Sequence, residues 1–289
     1  MYRELGGCVL SLEYEQMKKG WRWILGIPVS LLLIIQLLPV VFILLTSFKT
    51  PLALLSGDGL FSLDGFFGGN YTRVIFEDGF LSNVWLSVLI ALGSTALSLV
   101  CAAPASYALS KISFGYNRKI SFLVLGARML PPVVLALPLF VLFRSLGLHD
   151  SVLGLVIAHT TFNLPFAIWL LLPFFADIPD DYEQAASLDG LSRFQIFRYI
   201  TLPLCKTGLL VSGVFCFLMS WNDFLFSLIL AGSMTKTAPL AINAYMTSDR
   251  IEWGPMTASS VLILIPAFVF CFALQKYMTK GVASGGVKG

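Results

Sequence analysis

The chain has 289 residues, of which 57% are hydrophobic and 12% charged, with a formal net charge of +3. Soluble domains carry about 25% charged residues, so this composition excludes a soluble globular protein. The positive balance is small and scattered, which also excludes a nucleic-acid-binding surface built on a concentrated basic patch.

A membrane span needs roughly 20 mostly apolar residues. Segments near 23–48, 84–110, 120–144, 151–176, 207–231 and 257–279 meet that length and predict an all-α membrane protein with six transmembrane helices. The first run, Trp23 to Phe48, follows Lys18, Lys19 and Arg22. It is longer than the roughly 7–15 residues of a signal-peptide core and reads as an anchored span. Residues 1–22 then form an N-terminal segment, 23–279 the lipid-embedded domain, and 280–289 a C-terminal tail. Residues 49–83 are rich in Gly and acids, with short apolar patches at Leu60-Phe61 and Phe66-Phe67, which predicts an ordered external loop.

If the N-terminus lies in the cytoplasm, the inner segments hold thirteen Lys and Arg, the outer loops five, and Arg128 falls inside a span. This bias satisfies the positive-inside rule. It places both termini and the 177–206 loop in the cytoplasm. Proline recurs in the spans at Pro39, Pro104, Pro131-Pro132, Pro138, Pro165, Pro173 and Pro266. Proline removes a backbone donor and kinks a helix, which lipid tolerates only where neighbours satisfy the freed groups. The pattern fits bundle packing around bends, and equally helices that rearrange to open a path.

The segment from Asp177 to Lys206 differs from everything around it. Asp177, Asp180, Asp181, Glu183 and Asp189, with Arg193 and Arg198, interrupt an apolar sequence. Such charges are costly in hydrocarbon, so the segment belongs in water. Asp180 and Asp181 after Pro179 predict a helix start, and Gly190 predicts its left-handed end. Tyr182, Ala185, Ala186 and Asp189 share one face at 3–4 spacing, with small residues that allow close approach by another surface. A second helical stretch, Arg193 to Ile200, leads to Leu202-Pro203. An amphipathic helix lying on the bilayer would carry a Lys/Arg-rich polar face, and this one begins with acids.

Polar residues inside spans are candidates for a solute path or for helix–helix contacts. Arg128, Asn163, Trp221, Asn222 and Asp223 form this group, and Trp221 has a face on which a sugar ring can stack. His149 and His159 read as structural, and the five cysteines as packing residues without metal-ligand spacing. No nucleophile–base constellation is present, which disfavours an intramembrane enzyme. No lysine follows a glycine, so the G-K-[ST] core of a phosphate-binding loop is absent and no ATP site of that kind lies in this chain. The outward 232–256 loop is either a partner-contacting surface or a re-entrant connector.

Gln184-Ala185-Ala186, Gly190, Ile200, Leu202 and Pro203 match the spacing of the EAA loop of permease subunits in bacterial ABC importers, E-A-A, three residues, G, nine residues, I-x-L-P. The likeness extends to Asn70-Tyr71, Ala105-Ser106-Tyr107-Ala108, Phe162-Asn163-Leu164-Pro165, Trp221-Asn222-Asp223-Phe224 and the tail Gly285-Gly286-Val287-Lys288-Gly289. Over essentially the whole chain the sequence resembles the maltose-type carbohydrate permeases. The resemblance implies the type I importer (MetI-like) architecture with cytoplasmic coupling helices, in a bacterial inner membrane. It implies a second permease subunit, an ABC ATPase dimer that carries ATP and Mg, and an extracytoplasmic solute-binding protein as partners. It assigns ATPase coupling to Glu183, Gln184, Ala185, Ala186, Asp189, Gly190, Ile200, Leu202 and Pro203, with no cofactor or metal in this chain. One departure matters: the family Glu position holds Gln184, with Glu183 one residue earlier. Either Gln184 contacts the ATPase through neutral hydrogen bonds, or Glu183 substitutes. The solute implied is a carbohydrate, with a non-sugar such as glycerol phosphate also open. An ion-coupled secondary carrier is the competing class; it is disfavoured by the protruding loop and by the scarcity of paired intramembrane charges.

Overall fold

The computed structural model describes residues 26–55, 66–113 and 115–285. The N-terminal segment, the Leu60-Phe61 patch and the last four residues of the tail lie outside them. Among the described residues the chain is helical, with isolated bridges at Lys49–Phe66 and Met246–Ile251. Its principal helices are α1 (Gly26–Ser47), α2 (Phe80–Lys111), α3 (Asn117–Met129), α4 (Pro132–Ser145), α5 (Val152–Ala176), α6 (Asp180–Leu188), α7 (Arg193–Leu204), α8 (Lys206–Trp221), α9 (Leu225–Leu230) and α10 (Trp253–Gly285). By length and composition, α1, α2, α5 and the Trp253–Phe272 part of α10 suffice to cross a membrane. The number rises to six when the bent pairs α3–α4 and α7–α8 each count as one span.

Two compact units divide the chain. The first comprises residues 1–71 and 253–261, the second 72–252 and 262–289. In the first, the Asn70 amide donates to the Ser47 and Lys49 carbonyls, each at 2.9 Å. The Ser47 and Tyr71 hydroxyls meet at 2.7 Å, and the Phe48 ring stacks on Phe66. Asn70-Tyr71 thus closes the turn that follows α1.

The second unit is built on α2, α5 and α8. Along α2 the buried face runs through Ser87, Ala91, Ser94, Ser98, Ala102 and Ser106, small residues at 3–4 spacing. Lipid gives no hydrophobic drive between helices, so small side chains that let backbones approach, and hydroxyls that bond across, hold such a bundle. Ser106 donates to the Ile168 carbonyl at 3.1 Å, and the Ser94 hydroxyl to Ser220 at 3.0 Å. A side chain grown on Gly208 would collide with the Phe174 ring.

Two expectations need correction. The stretch 120–144 is not one continuous span: α3 and α4 meet at 88° across Leu130-Pro131. Likewise 207–231 breaks after Trp221, where Asn222–Phe224 interrupt the helix before α9. Pro39, Pro104, Pro138, Pro165, Pro173 and Pro266 all lie within helices that continue past them. The tandem Pro131-Pro132 differs because each proline restricts the residue before it to extended backbone, and Leu130 and Pro131 both adopt ψ near 130° (128° and 127°).

Candidate functional site

The polar segment folds as a hairpin of α6 and α7. Pro179, not an aspartate, occupies the position before α6, and Asp180, Asp181 and Glu183 fill its first turn. There they complement the positive end of the helix dipole. At the other end Gly190 takes φ +84°, its N–H donates to the Ser187 carbonyl, and the Leu191 N–H donates to Ala186, each at 3.1 Å. This paired closure is the Schellman arrangement, which requires a left-handed residue at the glycine. A capping box starts α7: Ser192 accepts from the Gln195 N–H, and the Gln195 side chain accepts from the Ser192 N–H at 2.8 Å. Short as they are, α6 is closed at its C-terminal end and α7 at its start, which stiffens the turn between them.

The hairpin is tied to the bundle at three points. Lys111, at the end of α2, reaches the Ile178 carbonyl and the Asp180 carboxylate. The Phe197 ring packs on Tyr107 at 5.0 Å between centroids. Glu183 accepts from the Tyr107 hydroxyl at 3.2 Å with one oxygen and from Thr201 at 2.9 Å with the other. Glu183 is therefore turned toward its own chain, and Gln184 is exposed.

What remains outward is apolar for a segment this rich in charge. Tyr182 is 55% exposed, Leu188 89%, Phe194 71% and Tyr199 65%. Between α6 and α7 lies a groove of about 480 Å³, bordered by Asp181, Tyr182, Ala185, Ala186, Asp189, Leu191 and Ile200. Ala186 is buried at its floor, Ala185 is exposed at its edge, and Ile196 is buried within the hairpin. Leu202 is half-buried and Pro203 exposed. The spacing of Tyr182, Ala185, Ala186 and Asp189 could identify this face; the aromatic contribution of α7 was not read from it.

The candidate path residues divide. Arg128, Asn222 and Asp223 border a cavity of about 710 Å³. Both helix breaks open onto it, at Leu130–Pro132 and at Asn222–Phe224. Asn163 does not reach it: it is fully buried and donates to the Cys216 carbonyl at 3.1 Å, joining α5 to α8. Trp221 is absent from the cavity wall as well. Its ring is 1% exposed, stacked parallel to Phe217, in a cluster with Ala91, Ile263, Ala267 and Phe270. An indole buried on all sides offers no face to a sugar.

Asp223 is held from within. Its Oδ2 accepts from the Ser227 N–H at 3.1 Å and from the Ser227 hydroxyl at 3.3 Å. The Nε2 of His159 lies 3.2 Å away, and Nδ1 of the same ring meets the Ser220 hydroxyl at 2.6 Å. His159 links α5 to the end of α8 through Ser220 and lies beside Asp223. This partnership joins residues from distant helices, so no local signal reveals it.

At the opposite end of the bundle, Asp150 adopts a left-handed backbone (φ 51°) and clasps the 231–235 segment. Its carboxylate accepts from the N–H groups of Gly232 (2.9 Å), Met234 (3.3 Å) and Thr235 (3.0 Å) and from the Thr235 hydroxyl (2.6 Å). Chiefly the Thr235 hydroxyl, then the three backbone donors, hold its pKa below the usual carboxylate value against a smaller opposing effect of burial. Nearby in sequence, Glu252 pairs with Arg73 at 2.7 Å and with Arg250 at 2.9 Å. No cluster suited to a metal ion occurs among the described residues.

Comparison with known proteins adds three findings. The model of a family described as binding-protein-dependent transport system inner membrane component matches residues 104–284, a range that includes both the hairpin and the cavity. The trehalose transport system permease protein SugB of Mycobacterium tuberculosis is 36% identical over 88% of this chain and 93% of its own length. The sulfoquinovosyl glycerol transport system permease protein SmoH of Agrobacterium fabrum is 30% identical over 91% of this chain and 93% of its own. Among solved structures, a chain of a bacterial ABC transporter involved in the import of the acidic polysaccharide alginate superposes with a TM-score of 0.74. At 23% identity, and covering 89% of this chain and 97% of that one, it shares the fold.

Proposed function

The chain belongs to the inner-membrane components of binding-protein-dependent transport systems, among the carbohydrate-type ABC permeases, and on that premise we propose that it forms half of an ATP-driven import path for a carbohydrate. The observation that carries this reading is the α6–α7 hairpin: capped at both helices, tethered to the spans through Glu183, and exposing Tyr182, Leu188, Phe194 and Tyr199. Apolar groups exposed on a polar element mark a protein–protein contact. The partner is an ABC ATPase dimer that carries ATP and Mg, since this sequence lacks a phosphate-binding loop.

In this reading the hairpin and both termini face the cytoplasm, as the Lys/Arg bias requires. Ala185, Asp189 and Gly190 meet the ATPase with Gln184, whose contact is neutral. Glu183 instead transmits the motion, because it joins α6 to Tyr107 on α2 and Thr201 on α7. Ile200, Leu202 and Pro203 set the junction from which α8 departs at 74°. A second permease subunit completes the path, and the loop clasped by Asp150 receives the solute-binding protein. Arg128, Asn222 and Asp223 line the route, while Asn163 and Trp221 hold the helices that frame it. The relatives named for trehalose and sulfoquinovosyl glycerol support a carbohydrate as solute.

Reconstitution tests this directly. Proteoliposomes containing this chain, its companion permease and the ATPase should take up a labelled glycoside only when both ATP and the binding protein are present. Uptake by this chain alone, driven by a proton or sodium gradient, would favour an ion-coupled carrier instead.

A further inference from the structure

We propose that the solute crossing the 710 Å³ cavity carries an anionic group, and that Arg128 receives it; this rests on the importer reading above. Arg128 is the one base, and Asp223 the one acid, among the residues that border the cavity. The two do not pair. Asp223 is already engaged with the Ser227 N–H and hydroxyl. The Arg128 guanidinium lies over the Phe166 ring, 3.9 Å from its centroid. Among the described residues it makes no ion pair, and no oxygen accepts from it.

A ring face attracts the cation but accepts none of the five N–H donors of its fork. Arg128 is exposed toward the cavity, on a helix with no buried residue, so its N–H donors are open to an incoming group. The solute supplies what is missing. A carboxylate, sulfonate or phosphate presents oxygens in the planar spacing that a guanidinium binds in bidentate fashion. The rest of the wall suits the remainder of a sugar acid: Phe215 and Phe224 offer apolar faces, and the Asn222 amide keeps its oxygen for a hydroxyl once its nitrogen has donated to Leu218. A neutral sugar would leave Arg128 only neutral acceptors, and the site would then bind it less tightly than its acidic counterpart.

The test is a paired-solute uptake assay in the reconstituted complex with its binding protein. Each pair contains one charged glycoside and its neutral counterpart, for example digalacturonate against its dimethyl ester. Wild type is expected to favour the charged member. Arg128→Gln should lose uptake of that member at least tenfold and erase the preference, while Arg128→Lys keeps part of it. Comparing each variant with wild type on the same solute cancels the selectivity of the binding protein. The proposal is overturned if wild type prefers the neutral members, or if Arg128→Gln retains the preference for charge. It is also overturned if Arg128→Gln no longer retains the companion permease in pull-down while Arg128→Lys does, since the counter-charge would then sit on that subunit. If wild type takes up no glycoside at all with ATP and binding protein present, the importer reading falls, and the proposal with it.

Discussion

The Glu183 carboxylate accepts a 2.9 Å hydrogen bond from the Thr201 hydroxyl, so the first helix of the hairpin is bonded to the end of the second. Thr201 is fully buried, and the other carboxylate oxygen bonds Tyr107 in α2. A displacement of α6 is therefore carried to α2 and to the α7–α8 junction together. Coupling between distant sites needs such a contiguous, stiff connection.

We predict that Glu183→Ala uncouples the transporter. A hydrogen bond to a charged group contributes about 1.5–3 kcal/mol, and two are lost here. ATP hydrolysis should continue while uptake per ATP falls several-fold, and Glu183→Gln, which still offers one acceptor oxygen, should lie between. A double-mutant cycle with Thr201→Val measures the coupling. Additive effects would show that the pair transmits nothing.

At Gly190 the prediction separates backbone from surface. A Cβ built there meets no atom within 4 Å, so the cost of Gly190→Ala is the left-handed backbone alone, about 1–2 kcal/mol. Asn tolerates that conformation and should restore most of it. A tryptophan adds to the same backbone cost a bulky ring at the exposed end of the hairpin, where a docked partner would meet it. Gly190→Trp should therefore weaken ATPase retention in pull-down well beyond Gly190→Ala; equal retention would place the partner elsewhere.

Asp150 predicts a dependence on pH. Its folded-state pKa is depressed, first by the Thr235 hydroxyl bond and then by the backbone donors. The stabilisation it gives is therefore present above its unfolded value of about 3.9 and is lost as pH falls through the lower folded value. Asp150→Asn keeps a residue that accepts φ 51°, while it removes the charge and replaces one of the two accepting oxygens with an N–H donor. In thermal unfolding, the gap between wild type and Asp150→Asn should be full near neutrality and close under strong acid. A gap that does not change with pH would contradict the assignment.

Trp221 distinguishes packing from solute contact. Its ring is buried against Phe217, so Trp221→Ala should cost about 3–5 kcal/mol and lower the unfolding temperature. Trp221→Phe, which keeps an aromatic in that cluster, should leave the apparent KM for the solute unchanged. A raised KM with unchanged stability would return Trp221 to the path.

Much of the hairpin was legible in the sequence because its signals are local. Acids after Pro179 and a glycine at 190 set the bounds of α6, and the 3–4 spacing of Tyr182, Ala185, Ala186 and Asp189 marked the face that borders the groove. Which of Glu183 and Gln184 turns inward was not legible. Adjacent residues on a helix differ by about 100°, and the choice is made by Tyr107 and Thr201, which belong to other elements. The same holds for Trp221 and Asp223. Both are polar-edged residues at the end of a span, but Phe217 and Phe270 enclose the first, and the helix break leaves the second on a cavity wall. Pro131-Pro132 announced a bend, but not that it opens onto that cavity.

The most direct test of the account is a site-specific cross-link. In a background without native cysteines, Ala185→Cys on the exposed edge of the groove should form a cross-linked adduct with an ABC ATPase in native membranes, reduced or enhanced by ATP. Lys236→Cys, in the loop beyond the Asp150 clasp, should form none. An adduct from Lys236→Cys and none from Ala185→Cys would contradict the assignment of the hairpin as the ATPase contact.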